Sequence, residues 1–209
     1  LYFFKKGWID SFILKRLGII VLLAATVASF GWIMVASGLI ERPLVNAYKL
    51  TLHLSLALIL FSYLLWTFLL TFKRFPHVTN TLNIKLWTKC LLFILAFQII
   101  LGGIVSGSKA ALFYPTWPDM NGEFVPSVLS NSANWDWHNM INYDSFLFAP
   151  ALIQFAHRML AYILAVATVY MFFKLRNVVE EASKKWLKST LVLVFAQIVL
   201  GISRFQLFF

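Results

Sequence analysis

The chain has 209 residues, of which 61% are hydrophobic and only 12% are charged, and its mean hydropathy is +0.80. A soluble domain carries about 25% charged residues, so this composition excludes an ordinary soluble protein. The net charge of +10 does not indicate nucleic-acid binding, because the basic residues cluster between apolar runs instead of forming one binding face. We therefore expect a protein of the lipid bilayer that does not bind nucleic acid.

Five apolar runs are each long enough to cross a hydrocarbon core of about 30 Å as a helix. They predict an all-α integral membrane protein with about five transmembrane helices. The predicted helices, named A to E, cover 17–40, 45–72, 86–105, 149–173, and a run from 186 past 200.

The basic residues predict the orientation of these helices. Thirteen of the eighteen Lys and Arg residues lie in three segments: before helix A, between B and C, and between D and E. Cytoplasmic loops carry such an excess, so the N-terminal end of this segment should be cytoplasmic. The basic residues of the three segments are Lys5, Lys6, Lys15, Arg16; Lys73, Arg74, Lys85, Lys89; and Lys174, Arg176, Lys184, Lys185, Lys188.

The segment 106–148 then lies on the outer side and is rich in Trp, Pro, Asn and Asp. Loops of this length are usually functional or disordered, and the aromatic residues favour order. We expect a lid over the outer mouth of the helices, with a short helix near 135–142.

Helices C and E contain a repeated motif. Gln98–Gly102 reads QIILG, and Gln197–Gly201 reads QIVLG ninety-nine residues later. Gly31–Gly38 of helix A is a weaker relative of Gly102–Gly107. Small residues of this kind could simply form packing faces, but internal duplication is common in membrane proteins.

Two histidines lie within predicted helices, whereas His77 and His138 lie in loops. His53 of helix B and His157 of helix D each follow their helix start by about eight residues, which corresponds to a depth of roughly 12 Å. Ionisable residues in a membrane indicate function, and imidazole is a common axial ligand of haem iron. The pair therefore predicts haem ligation. The alternative is a hydrogen bond to a neighbouring helix.

Other side chains give weaker indications. Arg158 could extend to the outer interface or pair with a haem propionate; Lys109 and Lys49 are further candidates for propionates. The single cysteine, Cys90, lies in an apolar run and cannot form a disulfide within the chain. No Cys/His/Asp/Glu cluster has the spacing of a metal site, and no hydrolase or phosphate-binding motif is present.

Several motifs together resemble one family. Gly31–Leu39 and Asn46–Leu54 resemble the third and fourth helices of the proteobacterial and mitochondrial type of haem A synthase. Gln98–Ala110 and Pro115–Gly122 resemble its fifth helix and the following outer loop, and Gln154–Tyr162 resembles its sixth helix. The motifs occur in the family's order over nearly the whole chain.

The resemblance implies a fold and a function. Members have two pseudo-symmetric four-helix halves and oxidise a methyl group of haem O to the formyl group of haem A, which cytochrome oxidase requires. It implies that His53 ligates iron in the haem O site and His157 ligates iron in the haem b site. It also implies a bacterial inner membrane or mitochondrial inner membrane, contact with a haem O synthase, and a homo-oligomer as one option.

The resemblance also implies missing parts. Residues 1–75 would be a remnant of the first half (A and B), and 85–209 most of the second (C, D and E). The family's catalytic glutamate would lie on an absent helix, so no catalytic residue is assigned. The partner of His157 would follow Gly201 by about twenty-two residues, beyond Phe209. Because the chain starts at Leu1 and ends in an apolar run, we expect a fragment that is inactive alone.

Two alternatives remain at this point. One is a membrane b-type cytochrome in which His53 and His157 share a haem and transfer electrons without modifying it. The other is a transporter with duplicated halves, against which stands the lack of an acidic residue within the helices.

Overall fold

A computed structural model of the protein describes residues 2–38, 45–72 and 82–206. These residues form helices and loops, with a single isolated β-bridge between Met120 and Glu123. Five of the described helices are long and apolar enough to cross a membrane, which confirms the prediction of an all-α, multi-pass membrane protein. The following residues of the predicted loops lie outside the described residues: Glu41, Arg42, Lys73, Arg74 and His77.

The long helices are α2, α3, α4, α8 and α9, which correspond to the predicted helices A to E. A 3-10 turn also occurs at Ser132–Asn134. The α-helices are α1 (Tyr2–Lys5), α2 (Ser11–Gly38), α3 (Ala47–Thr71), α4 (Leu82–Gly107), α5 (Ala110–Phe113), α6 (Ser127–Ser130), α7 (Trp137–Ile141), α8 (Phe148–Leu175) and α9 (Glu181–Gln206).

Two of the long helices begin five or six residues before the starts predicted from the sequence. Helix α2 starts at Ser11 because Asp10 accepts hydrogen bonds from two backbone N–H groups of the first turn. The Oδ1 atom of Asp10 accepts from Ile13 at 2.8 Å, and the backbone carbonyl of Asp10 accepts from Leu14 at 3.0 Å. Such N-terminal capping stabilises the first turn. Helix α9 starts at Glu181, where a carboxylate suits the helix dipole and pairs with Lys184 at 2.6 Å. The predicted starts lie later because Lys15 and Arg16 interrupt the apolar residues of α2 and because the first turn of α9 is polar.

Residues Leu1–Phe75 form one compact unit, in which α2 packs along α3. Thr51 is buried at this contact and bonds back to the carbonyl of Ala47 at 2.8 Å. Near the other end of α3, Arg16 donates to the hydroxyl of the buried Thr67 at 3.4 Å and lies over the ring of Tyr63. Polar contacts thus join the two helices at the end that carries the basic residues.

Residues Pro76–Phe209 form a second compact unit, in which α8 contacts both α4 and α9. Helix α8 supplies most of the buried residues described for this unit, including the fully covered Thr168. The rings of Trp87 on α4 and Tyr170 on α8 lie 4.8 Å apart. The outward apolar side chains of the long helices are exposed in the isolated chain, as expected for helices that face lipid.

The loop of the second unit that joins α4 to α8, residues 108–147, is called the outer loop after its predicted side; it is folded and packs on α8 through α5, α6 and α7. Trp135 donates its indole N–H to the carbonyl of Leu129 at 2.9 Å and contacts the ring of Phe148. Helix α7 confirms the predicted short helix near 135–142. The buried cluster beneath the loop consists of Tyr114, Met120, Leu129, Phe148 and Ala151.

Candidate functional site

The imidazole of His53, on α3, lies against Gly31 of α2. A Cβ built on Gly31 would lie 2.9 Å from Cε1 of His53 and 3.4 Å from its Nδ1. Carbon atoms normally approach to about 3.5–4.0 Å, so only glycine leaves room for the ring in this position. The two motifs that the sequence analysis singled out in this unit therefore meet at one point.

The second unit repeats this contact. A Cβ built on Gly102 of α4 would lie 3.2 Å from Cε1 of His157, on α8. Gly102 is the last residue of the QIILG motif. The described structure thus contains two equivalent pairs, Gly31 with His53 and Gly102 with His157, each within its own unit.

The repeat in α9 has a glycine without such a histidine. Around a Cβ built on Gly201, no atom of the described residues lies within 4 Å, and both Gly201 and Gln197 are exposed. The equivalent position on α4, by contrast, is covered by His157. Among the described residues, the α9 motif therefore has an open face.

Each histidine has a ring nitrogen suited to bind a ligand. His53 Nδ1 and His157 Nδ1 are buried, and neither has a hydrogen-bond partner among the described residues. Buried polar atoms are normally paired, and an axial ligand of haem iron must offer an uncommitted imidazole nitrogen. Because the helix that carries the glycine covers Nδ1 in each pair, haem iron would be bound through the other ring nitrogen, Nε2. The described residues hold no cluster of three or more His, Cys, Asp or Glu side chains that could bind a metal ion by themselves.

The Gln98 side chain lies beside His157. Its Nε2 is 3.3 Å from Nε2 of the imidazole, and its Oε1 is buried without a partner in the described structure. The sequence analysis noted Gln98 only as part of a repeat. The available signal was its spacing, since Gln98 precedes Gly102 by four residues and so lies one helical turn away on the same face.

Arg158 connects α8 to the outer loop. Its guanidinium donates to the carbonyls of Asp119 at 2.6 Å and Tyr114 at 2.8 Å, and the side chain is only 8% exposed. Extension to the outer interface, one of the two expectations for it, stays a prediction. Pairing with a propionate stays a prediction, and both terminal nitrogens already have partners. Lys109, the other candidate, is exposed and begins α5 with a left-handed φ of 54°.

The loop residues held by Arg158 form a compact turn. Thr116 donates its hydroxyl to the carboxylate of Asp119 and accepts from the N–H of Asn121 at 2.6 Å. The bond from Thr116 lowers the pKa of the Asp119 carboxyl, with a further contribution from the backbone at Gly122. Burial raises the pKa of the Tyr114 hydroxyl, and the negative charge of Glu123 adds to this effect.

A second bond joins the turn to α8. The indole N–H of Trp117 donates to the hydroxyl of Tyr162 at 3.0 Å. Arg158 and Tyr162 are separated by one helical turn, so both lie on the same side of α8. The loop is therefore fixed to the helix directly beyond His157.

Comparison with known proteins identifies the family. Residues 1–207 match the model of the COX15-CtaA family, described as cytochrome oxidase assembly protein. No solved structure matches the chain. Relatives include the heme A synthase of Bradyrhizobium diazoefficiens, 35% identical over 97% of this chain and 54% of the relative. The heme A synthase of Flavobacterium johnsoniae is 31% identical over 96% of this chain and 58% of the relative.

The heme A synthase of Rhodopseudomonas palustris is 37% identical over 78% of this chain and 44% of the relative. The chain thus spans about half the length of the curated relatives it matches. Since the family model covers nearly every residue, from the basic N-terminal segment to the end of α9, the chain belongs to the COX15-CtaA family of cytochrome oxidase assembly proteins.

Proposed function

We propose that the protein is a haem A synthase, an oxidoreductase that converts the methyl group of haem O to the formyl group of haem A for cytochrome oxidase. The observation that carries this proposal is the pair of equivalent contacts, Gly31 with His53 and Gly102 with His157. Each contact offers one imidazole, so the chain supplies ligands for two haems. Two haem sites suit an enzyme that holds a substrate haem beside a haem that transfers electrons.

His53 and His157 would each hold haem iron through an axial imidazole. When bound, haem b supplies a centre for electron transfer, and haem O is the substrate that is oxidised. Following the resemblance, His53 belongs to the haem O site and His157 to the haem b site. In each site the glycine on the neighbouring helix lets the imidazole approach the backbone closely, which restricts its rotation and hence its direction.

The overall reaction needs an oxygen source and an electron acceptor. The methyl carbon loses hydrogen and gains an oxygen atom, and the electrons released go to a redox partner outside this chain. Conversion of a methyl to a formyl group with water as the oxygen source releases protons together with these electrons. A membrane position suits this chemistry because haem O is itself apolar.

The outer loop would exclude water from the haem b side. Its buried cluster covers the first turns of α8, and Arg158 fixes it directly after His157 in the chain. Lys109 is exposed at the edge of this loop, and we propose it as a residue that binds a haem propionate. Arg158 would contact a propionate only by exchanging one of its carbonyl partners.

We further propose that the protein lies in the inner membrane of a bacterium, or of a mitochondrion if the source is eukaryotic. In the bacterial case the N-terminal end of this segment is cytoplasmic. The three basic segments support this orientation. Haem O reaches the enzyme from a haem O synthase, so that enzyme is a proposed partner. Each of the two units would belong to one half of a duplicated four-helix arrangement.

The test uses the natural gene that contains this chain, expressed in a bacterial host that makes haem O but no haem A. Haem extracted from membranes is separated by chromatography, and we expect haem A only when the gene is present. His53→Ala and His157→Ala should each abolish haem A. His138→Ala is the matched control, because this histidine lies on α7, away from the glycine contacts, where its ring packs on Phe146.

Two outcomes would overturn the proposal. If the purified protein contains haem b but membranes contain no haem A, the protein is a b-type cytochrome that does not modify haem. If His53→Ala and His157→Ala both retain full haem content, the two glycine contacts are packing contacts only. Expression of residues 1–209 alone tests in addition the expectation that this segment is inactive by itself.

A further inference from the structure

A small basic cavity, called the α8–α9 cavity, lies where α8 ends and α9 begins. Its volume is about 250 Å³, below the roughly 300–1,000 Å³ of a pocket for a drug-sized ligand. Three cationic side chains, one amide and two apolar side chains line it: Arg176, Lys184, Lys188, Asn177, Phe172 and Leu187. This lining suits a small anionic group that is joined to an apolar one.

The turn between α8 and α9 brings the cationic side chains together. The N–H of Val179 donates to the carbonyl of Leu175 at 3.0 Å, and the N–H of Lys184 donates to the carbonyl of Glu180 at 3.1 Å. Below the turn, Leu187 packs with Leu175 in a buried cluster that joins the two helices. The backbone and the apolar cluster therefore determine where the basic side chains lie.

The positive charge of the cavity is only partly neutralised. Lys184 pairs with the exposed Glu181 at 2.6 Å, whereas no acidic side chain in the described part of the chain pairs with Arg176 or Lys188. Lys184 and Lys188 are one helical turn apart on α9, a spacing at which like charges repel each other. Because residues 174–188 hold five basic and only two acidic side chains, a bound anion would relieve this repulsion.

The cavity lies at the same end of two membrane-spanning segments. The span of α8 ends at Leu175 and that of α9 begins at Ser183, so the cationic groups lie at the boundary between hydrocarbon and lipid headgroups. Trp186 is 73% exposed beside the cavity in the chain, and tryptophan favours this boundary. In the orientation proposed above, the boundary belongs to the cytoplasmic leaflet. Basic pockets between helices on that side bind anionic lipid headgroups.

We propose that the α8–α9 cavity binds the phosphate of an anionic phospholipid of the cytoplasmic leaflet. Arg176 binds two phosphate oxygens, since a guanidinium matches their geometry, and Lys188 adds a compact positive charge. Phe172 and Leu187 contact the glycerol and the first acyl carbons of the lipid. Free phosphate carries the same charge without this apolar part, so an experiment can distinguish the two sources of phosphate.

The first experiment uses the unchanged product of the natural gene that contains this chain, purified in a neutral detergent. Native mass spectrometry measures the binding of dioleoylphosphatidylglycerol and dioleoylphosphatidylcholine, with sodium phosphate as a competitor. We expect phosphatidylglycerol to bind more tightly, because the cavity repels the choline cation of the other lipid. Equal binding of the two lipids would overturn the inference. Displacement of phosphatidylglycerol by an equal concentration of phosphate would indicate a site for soluble phosphate and would also overturn it.

Two double variants with the same change in charge test the position of the site. Arg176→Gln with Lys188→Gln should weaken the binding of phosphatidylglycerol about thirtyfold, at about fivefold for each basic residue. Lys174→Gln with Lys185→Gln removes two exposed charges of the same segment that do not line the cavity, and it should leave this binding nearly unchanged. Equal losses in the two double variants would mean that only the overall charge attracts the lipid, and the proposed site would be wrong.

Thermal unfolding distinguishes a lost lipid site from a lost fold. A ligand that binds the folded state raises the unfolding temperature, so phosphatidylglycerol should stabilise the unchanged protein and the Lys174 and Lys185 variant. It should not stabilise the Arg176 and Lys188 variant, which should unfold at the same temperature as the unchanged protein when no lipid is added. Equal stabilisation of all three proteins by the lipid would contradict the inference. These results do not depend on haem, so the proposed enzyme activity stands or fails separately.

Discussion

The imidazole of His53 lies so close to Gly31 that the side chain of any other residue at that position would collide with it. An added Cβ would lie 2.9 Å from Cε1 of the ring. This contact joins α2 to α3 at the residue we propose as a haem ligand. The stability of the helix pair and the position of the ligand therefore depend on the same glycine.

Gly31→Ala should displace the His53 ring and reduce haem content at that site. Because the added carbon meets the ring itself, we expect a loss of about 1–3 kcal/mol in stability, the usual cost of overpacking. Thermal unfolding in detergent and the haem-to-protein ratio measure the two effects. Gly18→Ala is the control on the same helix: within the described part of the chain nothing lies within 4 Å of its added Cβ, so it should raise stability by roughly 0.5–1 kcal/mol. Equal behaviour of the two variants would contradict the close contact.

Gly102→Ala should have a smaller effect than Gly31→Ala. Its added Cβ would lie 3.2 Å from His157 Cε1, a distance that a shift of a few tenths of an ångström in the ring relieves. We expect a partial loss of haem at His157, measured by the absorbance of reduced minus oxidised membranes. Gly201→Ala, in the equivalent motif of α9, meets no atom of the described residues within 4 Å and serves as the comparison. A larger loss from Gly102→Ala than from Gly31→Ala would contradict this ranking.

Arg158→Met should loosen the outer loop without breaking the fold of α8. The change removes the donor from the carbonyls of Tyr114 and Asp119. A hydrogen bond from a charged group contributes about 1.5–3 kcal/mol to the stability of the folded state. Hydrogen–deuterium exchange of residues 108–147 should become faster, while exchange within α4 stays unchanged. Arg176→Met is the control, because its guanidinium lies over the ring of Phe173 outside the loop. An unchanged loop would exclude the anchoring role of Arg158.

The turn around Asp119 should become less ordered at acid pH. The folded state lowers the pKa of this carboxyl, chiefly through the bond from Thr116, so the turn gains stability above the unfolded pKa and loses it as the pH falls through the lower folded pKa. The fluorescence of Trp117, which bonds to Tyr162, should report the change at pH values below the ordinary range of an aspartate. Thr116→Val should remove this pH dependence.

Asp136→Asn is the matched control for this titration. Asp136 lies in the same loop, immediately before α7, and takes no part in the Thr116 turn. Its variant should therefore keep the acid transition of the unchanged protein. An acid transition that persists in Thr116→Val and disappears in Asp136→Asn would contradict the assignment to Asp119.

The membrane class, the five spanning helices and the two candidate histidines follow from the sequence alone. A hydrocarbon core demands about twenty apolar residues per helix, and this demand is local, so it is visible along the chain. The ordinary cost of an ionisable group in lipid singled out His53 and His157. The family motifs, read in order, led to the same conclusion as the match over residues 1–207.

Only the tertiary structure decided which side chains meet. In a helix that is apolar all round, hydropathy does not indicate which face packs on a neighbour. The spacing of Gln98 from Gly102 puts both residues on one face of α4, but only the packing of α8 on that face brings His157 beside Gln98. Arg158 presented two options by composition, the interface or a propionate. The path of the loop places the carbonyls of Tyr114 and Asp119 around its guanidinium, a contact that neither option included. Hydropathy is a property of single residues, whereas these contacts depend on helix rotation and on the course of a forty-residue loop, which distant parts of the chain determine together.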